Sequence, residues 1–130
     1  MSDDSGAERE VTVYEAIGGR AALTAAVDGL YGRLLADPEL SGFFAQGVSD
    51  RHRRYVVTIL AEALGGPERY RGPDLTRTHS SLGISDASFD AVAAHLHIVL
   101  SDLAVPAHLA AGVVGAVANL RPAVVSTQGR

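Results

Sequence analysis

The chain has 130 residues, 47% of them hydrophobic and 5% aromatic, with neither cysteine nor tryptophan and a formal charge of −4. That length suits one domain able to bury its own core, and a core so poor in aromatics must rest on Leu, Val, Ile and Ala, a composition that favours helices. Lack of cysteine excludes a disulfide framework, a thiolate metal site and a cysteine nucleophile, while the acidic balance makes nucleic acid a poor partner.

Residues Met1 to Glu10 are polar and acidic, without the basic start and apolar run of a signal peptide. They are expected to be a mobile tail, and the protein is expected to be cytoplasmic. No apolar stretch approaches the roughly 20 residues of a membrane-spanning helix. The predicted organisation is a tail over 1–11, one folded domain over 12–125 and a short tail over 126–130.

Val13 to Ile17 predicts one helical turn, broken by Gly18 and Gly19. A long helix should follow from about Arg20 to Ala36, because Leu23, Val27, Leu30, Tyr31 and Leu34 recur at helical spacing and Asp37–Pro38 ends it. Tyr31 therefore lies on the buried face. Pro38 can open a short turn through Leu40, ahead of the aromatic pair Phe43 and Phe44.

Ser49 is a credible N-cap for a helix whose inward face reads His52, Val56, Ile59 or Leu60, and Ala63, ending at Gly65–Gly66. Arg51, Arg53 and Arg54 should face water. Between Gly65 and Ile84 only Asp74 to His79 looks helical, and a long, weakly structured connection in a compact domain usually has a function. Ser85 then caps a helix with the stripe Phe89, Val92, Ala93, Leu96, Val99, Leu100 and Leu103. Pro106 opens the last helix, with Leu109, Val113, Val117 and Leu120 inward. These patterns predict an all-α fold of four substantial helices.

With no phosphate loop and no cysteine, chemistry falls to the five histidines. No two stand at i, i+4, so the helical zinc pattern is missing. His95, His97 and His108 read as partly or fully solvated side chains. His52 and His79 occupy inward positions. A lone inward histidine is usually a hydrogen-bonded core residue, but two of them beside a buried tyrosine and a phenylalanine pair suit a haem with a bound diatomic gas.

Four segments carry a resemblance: YEAIGG at Tyr14 to Gly19, LYGRLLADPELSGFF at Leu30 to Phe44, ALGGPERYRG at Ala63 to Gly72, and HSSLGIS at His79 to Ser85. In this order and spacing the chain resembles the group I truncated haemoglobins over roughly Val13 to Val125. The resemblance implies a two-over-two helical sandwich holding one b-type haem per chain, with an extended loop replacing most of the proximal helix. It implies His79 as the iron ligand and Tyr31 as hydrogen-bond donor to the bound gas. It further implies that Phe44 stacks on the haem, and that Phe43, Leu75, Ile84, Phe89, Val92 and Leu96 line the pocket. Tyr70 is placed to reach a haem propionate; Arg77 joins it on charge and proximity to His79 alone.

Two positions depart from the family. His52 and Val56 stand where many members carry Gln or Leu and then Gln, so the paired tyrosine–glutamine network is missing and ligand stabilisation falls to Tyr31 with His52. Tyr55 is close enough in sequence to turn toward the pocket. His52 also leaves open a six-coordinate iron.

The resemblance implies reversible binding of O2, NO and CO, and oxidation of nitric oxide to nitrate given an external reductase. Two other classes stay open: a haem-free helical interaction or sensor module, and a small helix-turn-helix regulator using Arg51 to Arg54. Oligomeric state is not legible.

Overall fold

Residues 11–44, 47–72 and 84–125 are described in the computed structural model. Thr12 opens helix α1 (Val13–Ile17) by accepting the Glu15 N–H on its hydroxyl at 3.1 Å. Gly18 closes it at φ 114°, a left-handed conformation that costs glycine little, and Gly19 continues at φ 71° into α2 (Gly19–Ala36). The predicted inward set of α2 is buried as expected, joined by Ala26. Asp37 ends the helix in extended backbone, as the residue before a proline prefers. The chain then turns through Leu40, 1% exposed, into a 3-10 turn at Ser41–Phe44.

Ser49 caps α3 (Asp50–Ala63), its hydroxyl accepting the His52 N–H at 3.0 Å. The buried face of α3 is Val57, Leu60 and Ala61, so the predicted stripe is corrected by about one residue, and Ala63 is exposed. The cause is that two kinds of apolar position share this helix. Val57 and Ala61 pack into the core, whereas Val56 and Ile59 face a cavity, and hydrophobic spacing alone does not separate them.

Ser85 caps α4 (Asp86–Asp102), accepting the Ser88 N–H at 3.0 Å. Phe89, Leu96, Val99 and Leu100 are buried there, but Leu103 lies at the helix end and is 46% exposed, contrary to its place in the predicted stripe. Helix α5 (Ala107–Ala118) follows Pro106 and buries Ala110 and Val113. It stops before Leu120, which instead leads into an unpredicted short helix α6 (Arg121–Val124).

The four long helices form two packed pairs, α2 with α3 and α4 with α5, joined where α2 crosses α4. Among the described residues there are no strands, and no helix is long and apolar enough to cross a membrane. The crossing is close because α2 presents Gly29: a Cβ there would stand 2.9 Å from Cγ1 of Val99. At the other end α1 is tied to α3. Tyr14 donates its N–H to the Leu64 carbonyl at 3.1 Å and its hydroxyl to Glu68 at 2.9 Å, while Arg20, at the start of α2, donates to Thr58 of α3 at 3.2 Å. Burial pushes the Glu68 carboxyl up, but the bonds from Tyr14 and Arg20 outweigh it and hold the group below the ordinary range.

Gly29 and Gly32 sit one turn apart on α2, and nothing lies within 4 Å of a Cβ at Gly32. Replacing each by alanine should give opposite signs in chemical denaturation. Gly32→Ala should stabilise by about 0.5–1 kcal/mol through helix propensity. Gly29→Ala should destabilise by about 1–2 kcal/mol net, as overpacking at Val99 exceeds the same gain.

Candidate functional site

The two helix pairs enclose a cavity of about 510 Å³. One wall is α2, which contributes Leu30, Tyr31 and Leu34, followed by Leu40, Phe43 and Phe44 from the turns after it. His52, Val56 and Ile59 of α3 form a second side. Phe89, Val92 and Leu96 of α4 close a third, with Ile84 just before that helix and Val117, Leu120 and Val124 beyond them. Of the residues singled out in the sequence, Tyr31, His52, Phe43, Phe44, Val56, Ile84, Phe89, Val92 and Leu96 are thus brought together around one space. Leu75, Arg77 and His79 lie outside the described residues.

Among the described residues, the lining is apolar apart from four side chains: Tyr31, His52, Ser49 and Ser88. Tyr31 is 6% exposed, and its hydroxyl lies 2.9 Å from Nε2 of His52. The phenol ring meets Phe44 edge-on at 5.5 Å, and the Arg53 guanidinium sits 5.5 Å from its centroid. Asp28 holds Arg53 there through a 3.0 Å ion pair, spanning α2 and α3. Burial pushes the Tyr31 hydroxyl up to about 12, against a smaller opposing pull from Arg53. The group is therefore a neutral hydrogen-bond donor at any physiological pH.

Tyr55 and Tyr70 are not among the residues lining the cavity. Their rings meet edge-on at 5.6 Å, the Tyr55 hydroxyl accepts from Nε of Arg51 at 3.0 Å, and the Tyr70 N–H donates to Glu62 at 2.8 Å. Two arginines of the 51–54 run are thus engaged within the fold, Arg51 by Tyr55 and Arg53 by Asp28. His97 and His108 are exposed, as expected from the sequence.

Sequence reasoning missed Ser49 and Ser88 as polar lining, and it missed the role of His95. That imidazole accepts from Nε of Arg33 at 3.0 Å and donates through Nε2 to Asp37 at 2.8 Å. The bond from His95, with another from the Glu39 N–H, holds the Asp37 carboxyl below the ordinary range. The trio fastens the end of α2 to α4 just outside the cavity wall at Leu34 and Leu96. Its only sequence signal was a histidine bordering an apolar stripe.

A space of about 300–1,000 Å³ with mostly apolar walls and a few convergent polar tips is the usual form of a small-molecule or cofactor site. Aromatic and branched walls suit the flat, apolar face of a porphyrin, and a paired tyrosine and histidine suit a small polar ligand held above it. The residues present fit haem.

Comparison with known proteins agrees with that fit. The bacterial-like globin family matches residues 12–126. A group 1 truncated haemoglobin of Mycolicibacterium paratuberculosis is 37% identical over 115 residues, covering 88% of this chain and 85% of the relative. The Fe(III) form of the Tetrahymena pyriformis truncated haemoglobin superposes with a TM-score of 0.83 at 28% identity, covering 89% of this chain and 99% of that one. A 2/2 hemoglobin from Synechococcus, solved with covalently attached heme, gives a TM-score of 0.80 at 31% identity, covering 88% and 98%. The chain belongs to the bacterial-like globin family as a group 1 truncated haemoglobin, an all-α two-over-two globin whose cofactor is haem and which binds gas.

Proposed function

We propose that this protein holds one b-type haem in the cavity, with His79 as iron ligand, and binds O2, NO and CO reversibly with Tyr31 as hydrogen-bond donor to the bound gas. The observation that carries the reading is the buried Tyr31 hydroxyl, a neutral donor at the wall of an apolar cavity. Bound O2 takes on partial negative charge, so a donor in a low-dielectric pocket favours it over ligands that accept hydrogen bonds weakly.

Phe43, Phe44, Val56, Ile84, Phe89, Val92 and Leu96 are proposed as haem contacts, and Leu75, Tyr70 and Arg77 retain the roles the resemblance gives them. A haem-free module is the less favoured reading. Protein interiors close-pack with few voids larger than a water molecule, and a bundle without cofactor would have no reason to keep about 510 Å³ open. The regulator reading loses its basic surface in part to the contacts of Arg51 and Arg53. For His52, the bond to Tyr31 already engages Nε2, which favours an open sixth position over a six-coordinate iron.

Oxidation of nitric oxide belongs to the same proposal. NO, O2 and one electron give nitrate; a haem held here would supply that electron, and an external reductase would have to return it. In this reaction Tyr31 would retain O2 until nitric oxide arrives.

Replacing Tyr31 by Phe should speed O2 release about ten- to hundredfold in stopped-flow measurements, the loss of one charge-assisted hydrogen bond, and should lower nitrate yield per O2 consumed. Unchanged O2 release would remove Tyr31 from the account. Alkaline titration gives a second check. Because the folded protein keeps this proton up to about pH 12, while an unfolded chain loses it near 10, stability should fall as pH rises above about 10. Tyr31→Phe should abolish that part of the loss.

A further inference from the structure

The Tyr31 hydroxyl has one proton and two acceptors within its reach. One is Nε2 of His52, 2.9 Å away; the other is any gas held in the cavity that both side chains line. We propose that His52 is a positioning residue that competes with the bound gas for this proton, and thereby sets how strongly the site prefers O2 over CO. The inference rests on the reading of Tyr31 as donor.

Chemistry gives the Tyr31–His52 bond a preferred direction. A phenol O–H is a good donor and an unprotonated imidazole nitrogen a good acceptor, whereas a phenol oxygen accepts weakly. The favoured arrangement has Tyr31 donating to Nε2, with the imidazole proton on Nδ1. Among the described residues, His52 is the hydrogen-bond partner of the Tyr31 hydroxyl.

Both residues are anchored in their helices. His52 is in the first turn of α3, its backbone N–H donating to the Ser49 hydroxyl at 3.0 Å. Tyr31 is held between the edge of Phe44 and the Arg53 guanidinium, which Asp28 anchors in turn. Among the described residues, the two other polar side chains of the lining are engaged locally: Ser49 accepts from the backbone N–H of His52, and Ser88 lies 3.2 Å from the Ser85 hydroxyl.

A ligand that accepts a strong hydrogen bond must therefore draw the proton away from His52, and its gain is reduced by the bond it breaks. CO accepts weakly and leaves the pair intact. Removing the competing imidazole should strengthen the hold on O2 and leave CO nearly unaffected. The opposite sign follows if His52 itself donates to the gas, so the two roles are separable.

The test measures O2 and CO release by stopped flow from the haem-loaded protein as wild type, His52→Leu, Tyr31→Phe and the double variant. It is paired with ¹⁵N NMR of the His52 ring in the reduced CO form. His52→Leu should slow O2 release about three- to tenfold, the size of one net hydrogen bond, and leave CO release within about twofold. In the Tyr31→Phe background the same substitution should do nothing to O2 release. The ring should show its proton on Nδ1 and an accepting Nε2.

Faster or unchanged O2 release in His52→Leu would overturn the proposal. So would slowing that persists without the Tyr31 hydroxyl, which would mean the leucine acts by packing, or a proton found on Nε2 in the CO form. If Tyr31→Phe itself leaves O2 release unaltered, the donor reading fails and this inference falls with it. If Tyr31→Phe accelerates release and only the His52 arms fail, the donor reading stands alone.

Discussion

A small helical domain that keeps about 510 Å³ open at its centre must hold its helices apart as firmly as it packs them together. The rest of the structure follows from that constraint. On the packed side, α2 meets α4 at Gly29 and Val99, where a single added methyl group would stand at 2.9 Å. On the open side, the spacing is kept by polar ties that bridge elements around the rim. His95 fastens α4 to Asp37 and Arg33, and Arg53 fastens α3 to Asp28. Arg121 of α6 reaches Asp86 and Asp90 of α4 while covering the Phe89 ring at 4.6 Å. The arginine–aspartate pairs among these are partly exposed and contribute little stability each; the value of all these ties is geometric, since each spans two elements that border the cavity.

Within so apolar a space, the few polar atoms decide what is held. Tyr31 and His52 satisfy each other at 2.9 Å, which avoids the cost of a buried hydroxyl without a partner, about 1–3 kcal/mol. The same bond is what an incoming acceptor has to disturb. The satisfaction of the pocket's buried polar atoms and its selectivity are thus set by one pair of side chains. At this position an imidazole offers either a donor or an acceptor on a given nitrogen, never both at once.

Much of this was legible in the sequence because it depends on neighbours. Ser49 and Ser85 were readable as caps, Gly18 as a stop, and Tyr31 and Phe89 as inward positions, since each rests on a pattern of a few residues. The motifs from Tyr14 to Ser85 led directly to the family. Less legible was whatever joins distant segments. Tyr31 and His52 are 21 residues apart, and His95 is 58 from Asp37; no local pattern pairs them. The face of α3 was misjudged by about one residue because a cavity wall and a packed core are equally apolar. Leu103 was counted inward for a different reason: periodicity does not register where a helix ends.

The central claim is that His79 binds the iron of a haem held in this cavity. Absorption spectra of the reduced and CO-bound protein, taken for wild type and for His79→Gly with and without added imidazole, test it most directly. The account predicts a histidine-ligated spectrum with a Soret band that shifts on CO in the wild type, its loss in His79→Gly, and its return when imidazole fills the gap. A wild-type spectrum unchanged in His79→Gly, or a protein that takes up no haem at all, would contradict it.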